Sequence, residues 1–89
     1  MQQIDDAKTF RQRFRVPVNP AFWLIEKEWW VSPDSQTLGV VIFDDHDKDW
    51  SFVVLRPKGD GTFCAVDMGI NHSDVDAART KLHEKMQVN

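Results

Sequence analysis

The residues with the most chemistry to offer stand together in the run Asp44-Asp45-His46-Asp47-Lys48-Asp49. Asp45, Asp47 and Asp49 alternate as the first acids of a calcium loop do, and hard cations take clustered carboxylate oxygens. The rest of such a loop is missing. Counted from Asp45, the sixth position calls for glycine and is Trp50, and the twelfth calls for a bidentate glutamate and is Arg56. The run therefore reads as a solvated, charged turn, with Asp45 and Asp47, and His46 between them, as weak metal candidates. Neither a metal nor a cofactor is expected. Cys64 falls within an apolar strand pattern, where a thiol behaves as a small hydrophobe. His46, His72 and His83 lack metal-ligand spacing, and His83 is expected on the polar side of the last helix. There is no phosphate loop, dinucleotide fingerprint or nucleophile elbow. The expectation is a protein that is not an enzyme, with Asp67, His72 and the aspartate run as its sole acid–base material.

Aromatic and basic residues offer binding in place of catalysis. Four tryptophans, Trp23, Trp29, Trp30 and Trp50, are many for so short a chain. Adjacent residues of a strand face opposite sides of a sheet, so Trp29 and Trp30 cannot both be buried by one layer. An uncovered tryptophan beside a polar rim is an anchor for a partner protein or a flat ligand. On this basis Trp29, Trp30, Trp50 and Phe52 are the candidate surface for a protein partner or a small apolar ligand. Lys8, Arg11, Arg13 and Arg15 form a small basic patch, which would serve nucleic acid if Trp23 stacked on a base. The bland reading of that patch is a solvated helix face. Residues 1–31 hold five Lys/Arg against four Asp/Glu, and residues 32–89 hold six against ten. Such a balance disfavours broad phosphate-backbone affinity and leaves an acidic inhibitor as a third reading.

The elements that position these residues follow from periodicity. Ile4, Ala7, Phe10 and Phe14 share one face of a helix over about 4–14, which Pro17 ends. Asn19-Pro20 opens a helical turn, and the turn runs into a strand by about Lys27. Trp29–Val31 leads to the turn Ser32-Pro33-Asp34-Ser35. Leu38–Asp44 and Trp50–Arg56 are strands, Pro57–Gly61 is a hairpin loop, and Thr62–Met68 returns. Ser73, with Asp76 three residues on, is a capping-box pattern. Val75, Ala78, Leu82 and Met86 then mark an amphipathic helix over about 73–86. The fold class expected is α+β: a three- to four-stranded antiparallel meander over about 27–68, with an N-terminal and a C-terminal helix packed on it.

Leu38, Val40 and Ile42 alternate with Val41 and Phe43, and Trp50, Phe52 and Val54 with Val53 and Leu55, so both sheet faces are apolar. The C-terminal helix covers one. The other falls to the N-terminal segment or to a second copy of the chain, and a homo-oligomer is expected.

Length and composition agree with one domain. The chain has 89 residues, 42% hydrophobic and 28% charged, with four glycines and four prolines, which excludes collagen-like, disordered and membrane-spanning classes. Met1–Asp6 is polar and acidic, unlike a secretory leader, and a single cysteine suits a reducing compartment, so a cytoplasmic location is expected.

Trp30-Val31-Ser32-Pro33-Asp34, Leu38-Gly39-Val40-Val41 with Asp44, Asp49-Trp50 with Val53-Val54-Leu55, and Gly61-Thr62-Phe63-Cys64-Ala65-Val66-Asp67 carry one further signal. Together they resemble a pattern in small bacterial proteins of chromosomes and mobile elements, integron gene cassettes among them, and the resemblance spans about residues 29–86. It implies a small α+β oligomer that presents a groove or pocket, and it assigns no activity to any residue.

Overall fold

The computed structural model describes residues 1–87. Five strands and two helices follow in the order β1 (Gln2–Ile4), α1 (Ala7–Arg13), β2 (Leu24–Val31), β3 (Leu38–Asp44), β4 (Asp49–Pro57), β5 (Phe63–His72) and α2 (Val75–Gln87). The strands form one antiparallel sheet in the spatial order of the chain, β1-β2-β3-β4-β5. No helix among the described residues is long and apolar enough to cross a membrane.

The α+β meander is as expected, with one strand more and with shifted boundaries. Gln2–Ile4 pairs with Trp29–Val31, so Ile4 ends a strand where the helical spacing had placed the start of a helix. Ile4 still faces the core, which is why the spacing misled. Asp6 caps α1 by accepting a 2.7 Å hydrogen bond from the Thr9 amide, and Phe14 leaves the helix with φ −128°. No helical turn precedes β2. The Asn19 side chain accepts from the Ala21 amide, and the Ala21 carbonyl accepts from Leu24, giving a turn that delivers the chain into β2 three residues before Lys27. At its other end the sheet runs on to His72, four residues beyond Met68, with Asn71 at φ 64° beside a register shift. Asp74, one residue after Ser73, caps α2 by accepting from the Ala77 amide at 2.8 Å, and Asp76 turns instead to Arg79.

Each sheet face has its own core. On the first, Leu38, Val40, Ile42 and Leu55 pack with Phe10, Phe14 and Phe63. On the second, Val41, Phe52 and Val54 pack with Ala78, Leu82 and Met86 of α2. The chain thus supplies a cover for both faces from within. Gly39 brings α2 close, since a Cβ there would lie 2.6 Å from Met86 Sδ and 2.7 Å from a Leu82 methyl. Met86 is flexible enough to give way, but Leu82 is fully enclosed. Gly39→Ala is expected to lower the unfolding free energy by about 1–2 kcal/mol, read as a lower urea midpoint at unchanged slope.

Candidate ligand cleft

An irregularity in β2 decides which faces of the sheet its two glutamates occupy. Glu26 pairs with Ile42 and Glu28 pairs with Val41, so the strand carries one extra residue, Lys27, as a bulge. Residues two apart in a regular strand share a face. Here the bulge sends Glu26 to the first face and Glu28 to the second. Each meets an arginine of the helix on its own side. Arg11 grips Glu26 with both terminal nitrogens, at 2.7 and 2.9 Å, and the Trp29 indole donates to the same carboxylate at 3.0 Å. Arg79 grips Glu28 with Nε, at 2.8 Å, and with Nη2, and the Trp30 indole donates to it at 3.0 Å. Burial pushes the Glu26 carboxyl up, but Arg11 and Trp29 together hold it below the usual glutamate range. Arg79 holds Glu28 low against the opposing effect of burial, with Trp30 adding to it.

These pairs settle where the predicted surface residues lie. Trp29 packs on the first core and Trp30 on the second, edge-on to His83 at 4.4 Å between ring centres. His83 is therefore against the sheet, where burial first and the Arg79 charge second depress its pKa; it is not on the polar side of α2. Trp50 is beside Phe43 on the second face, and Phe52 is 2% exposed beneath α2. Phe52 is core and not surface, because its alternation places it under the one helix long enough to cover three strands. The four do not form a common patch. Nor do the basic residues act together: Arg11 is tied to Glu26, Arg13 leans over the Phe14 ring at 4.9 Å and donates to Ser35 Oγ, and Lys8 and Arg15 are exposed. In the aspartate turn, Asp45 pairs with Lys48 at 2.7 Å and Asp47 lies 3.0 Å from His46 Nδ1. Among the described residues no three His, Cys, Asp or Glu side chains gather where they could hold a metal ion.

What the sequence reading missed is how unequally the two helices cover the sheet. The seven-residue α1 packs against β1 and β2, whereas the thirteen-residue α2 reaches β3, β4 and β5. The β4–β5 half of the first face is left to the segment between α1 and β2. That segment is pinned at both ends, by the Phe63 amide donating to the Arg15 carbonyl at 2.8 Å and the Asp45 amide donating to the Trp23 carbonyl at 2.8 Å. Between those points it arches over the sheet without filling the space beneath. A cleft of about 310 Å³ lies under Val16–Pro20, on a floor that includes Val40, Val53 and Leu55. It continues, through shared residues Asn19, Ile42, Val53 and Ala65, into one of about 420 Å³ that opens between Trp23 and β5. At this mouth Trp23 is 42% exposed and Met68 and Ile70 are each 65% exposed. One signal could have found it: Met68 and Ile70 continue an apolar alternation on β5 for which no further helix remains among the described residues.

The rim of the wider opening is acidic. Asp44, Asp47 and Asp49 line it, with Asn71 and Ser51 beside them. No family model matches the chain, and no curated protein or solved structure matches it either.

Proposed function

We propose that the protein is a non-enzymatic binding module that takes a small apolar ligand in the cleft beneath the Val16–Trp23 arch, and that it works as a self-associated assembly. The observation that carries the ligand reading is the open floor of the first sheet face. Three large apolar side chains, Trp23, Met68 and Ile70, stand exposed around a cavity of ligand size. Self-association is supported by β5, a ten-residue edge strand with Val66, Met68 and Ile70 exposed and Asp67 as its single charged residue. The aromatic anchor moves accordingly from Trp29, Trp30, Trp50 and Phe52 to Trp23.

The test uses N-phenyl-1-naphthylamine, a neutral probe that fluoresces when it leaves water. Saturable binding at one probe per chain is expected, and Trp23→Ala is expected to weaken it by about fivefold or more, the loss of a partly buried aromatic contact. A linear, unsaturable response, or a Trp23→Ala protein that is folded and binds equally well, would overturn the reading. Light scattering over a wide concentration range tests the assembly, for which a concentration-independent dimer is expected and a stable monomer counts against it.

A further inference from the structure

Resting on that cleft, we infer that its ligand is a hydrophobic cation, an aromatic or alkyl body carrying an ammonium group. The apolar floor and the rim make different demands. Asp44 and Asp49 are register partners directly opposite each other at the end of the β3–β4 hairpin, and both line the cleft. Like charges directly opposite across a strand pair oppose folding. The two carboxylates therefore stand at opposed positions at the mouth of an apolar cavity, and Asp47 lines the same opening.

The rim has little positive charge to balance this. No lysine or arginine lines the wider opening among the described residues, Lys48 is turned to Asp45, and Asp44 Oδ1 accepts only from the backbone amides of His46 and Asp47. The His46 ring meets Asp47 at 3.0 Å in the same turn. Arg11, in the narrower part of the cleft, is neutralised by Glu26. An inorganic divalent ion needs its oxygens gathered at one point, and these are not so gathered. A diffuse organic cation needs only a negative rim, an apolar floor for its body and an aromatic side chain within reach, and Trp23 lines the same opening. Charge complementarity thus selects the occupant.

The experiment displaces N-phenyl-1-naphthylamine from the full chain with phenyltrimethylammonium and, separately, with benzenesulfonate, an anion of similar shape. The cation is expected to displace the probe and the anion is not. The preference should shrink as salt is raised, because exposed carboxylates are screened. In the D44N/D49N double variant the cation is expected to lose about tenfold in affinity relative to the neutral probe measured on the same variant. Asparagine at position 44 retains the oxygen that the turn amides use, and Asp49→Asn alone is expected to raise the melting midpoint by about 1–4 °C through relief of the opposed charges. A merely structural role for the pair would not join a gain in stability to a loss of cation binding. Equal displacement by cation and anion, or undiminished cation affinity in the double variant, would overturn the inference and leave a neutral apolar site standing. Displacement of bound phenyltrimethylammonium by calcium chloride, but not by sodium chloride of equal ionic strength, would overturn it in favour of a metal. If the neutral probe fails to bind, amide chemical shifts follow the cation directly, and their constancy would end both readings.

Discussion

Phe10→Ala is expected to lower the unfolding free energy by about 3–5 kcal/mol, the cost of deleting a fully buried aromatic side chain and leaving a cavity. Phe10 has no exposed surface, and it is the one buried residue of α1. A seven-residue helix has too little internal hydrogen bonding to persist alone, so its attachment rests on this ring together with the Arg11–Glu26 pair. Phe10 lies 5.7 Å from Phe14, and Phe14 lies edge-on to Phe63 at 5.5 Å, so the ring series fastens α1 to the start of β5. Losing its first member releases the helix together with the arch that follows it. Urea titration should show the full loss. Probe binding at the cleft should weaken even at urea concentrations where the sheet remains folded. A loss below about 1 kcal/mol would mean that the site closes around the missing ring.

Arg79→Met is the second large effect. It keeps the length of the side chain and strips Glu28, 8% exposed, of its cation, which leaves a carboxylate facing the second core with the Trp30 indole as its remaining partner. Removing one partner of a buried pair costs about 3–5 kcal/mol. Arg79 is one-third exposed, so the lower figure or slightly less is expected at neutral pH. The pH dependence carries the sign. In the natural protein the pKa of Glu28 is held below its ordinary 4.5, so the pair contributes stability above that value and loses it as pH falls through the folded pKa. In the variant burial acts unopposed by the guanidinium and raises the folded pKa. The deficit relative to the natural protein should therefore narrow on acidification below about pH 5. Stability curves that stay parallel from pH 7 to pH 3 would show that Glu28 is solvated and the pair inconsequential.

The sheet was legible where its patterns are local. Alternation over Leu38–Ile42 and Trp50–Leu55 sorts residues onto the faces they occupy, the apolar series of α2 stands where it was read, and the hairpin loop read at Pro57–Gly61 lies one residue later, with Pro57 ending β4 and Phe63 opening β5. β1 was not legible, because three residues carry no period and their strand character comes from pairing with residues nearly thirty positions away. The bulge at Lys27 was equally hidden. It inserts one residue into a run that reads as continuous, and it alone separates Glu26 from Glu28. The arginine partners of both glutamates, and hence the burial of Trp30 and His83, depend on it. The candidate site suffered most, since a tryptophan count cannot distinguish Trp30 under a helix from Trp23 at an opening. That distinction is set by how far α1 reaches, and the reach of a short helix is a matter of its capping at Asp6 and its exit at Phe14.

From Leu38 to Ile42, every residue of β3 is buried, whichever face it points to. Amide hydrogens in such a strand trade with solvent deuterium only when the whole molecule opens, whereas an outer strand can part locally. In the unassociated chain, exchange should be slowest at Val40 and Val41 and many times faster along Met68–Asn71. The cleft is bounded by both kinds of backbone: its base belongs to the slow strand and one of its sides to the fast one.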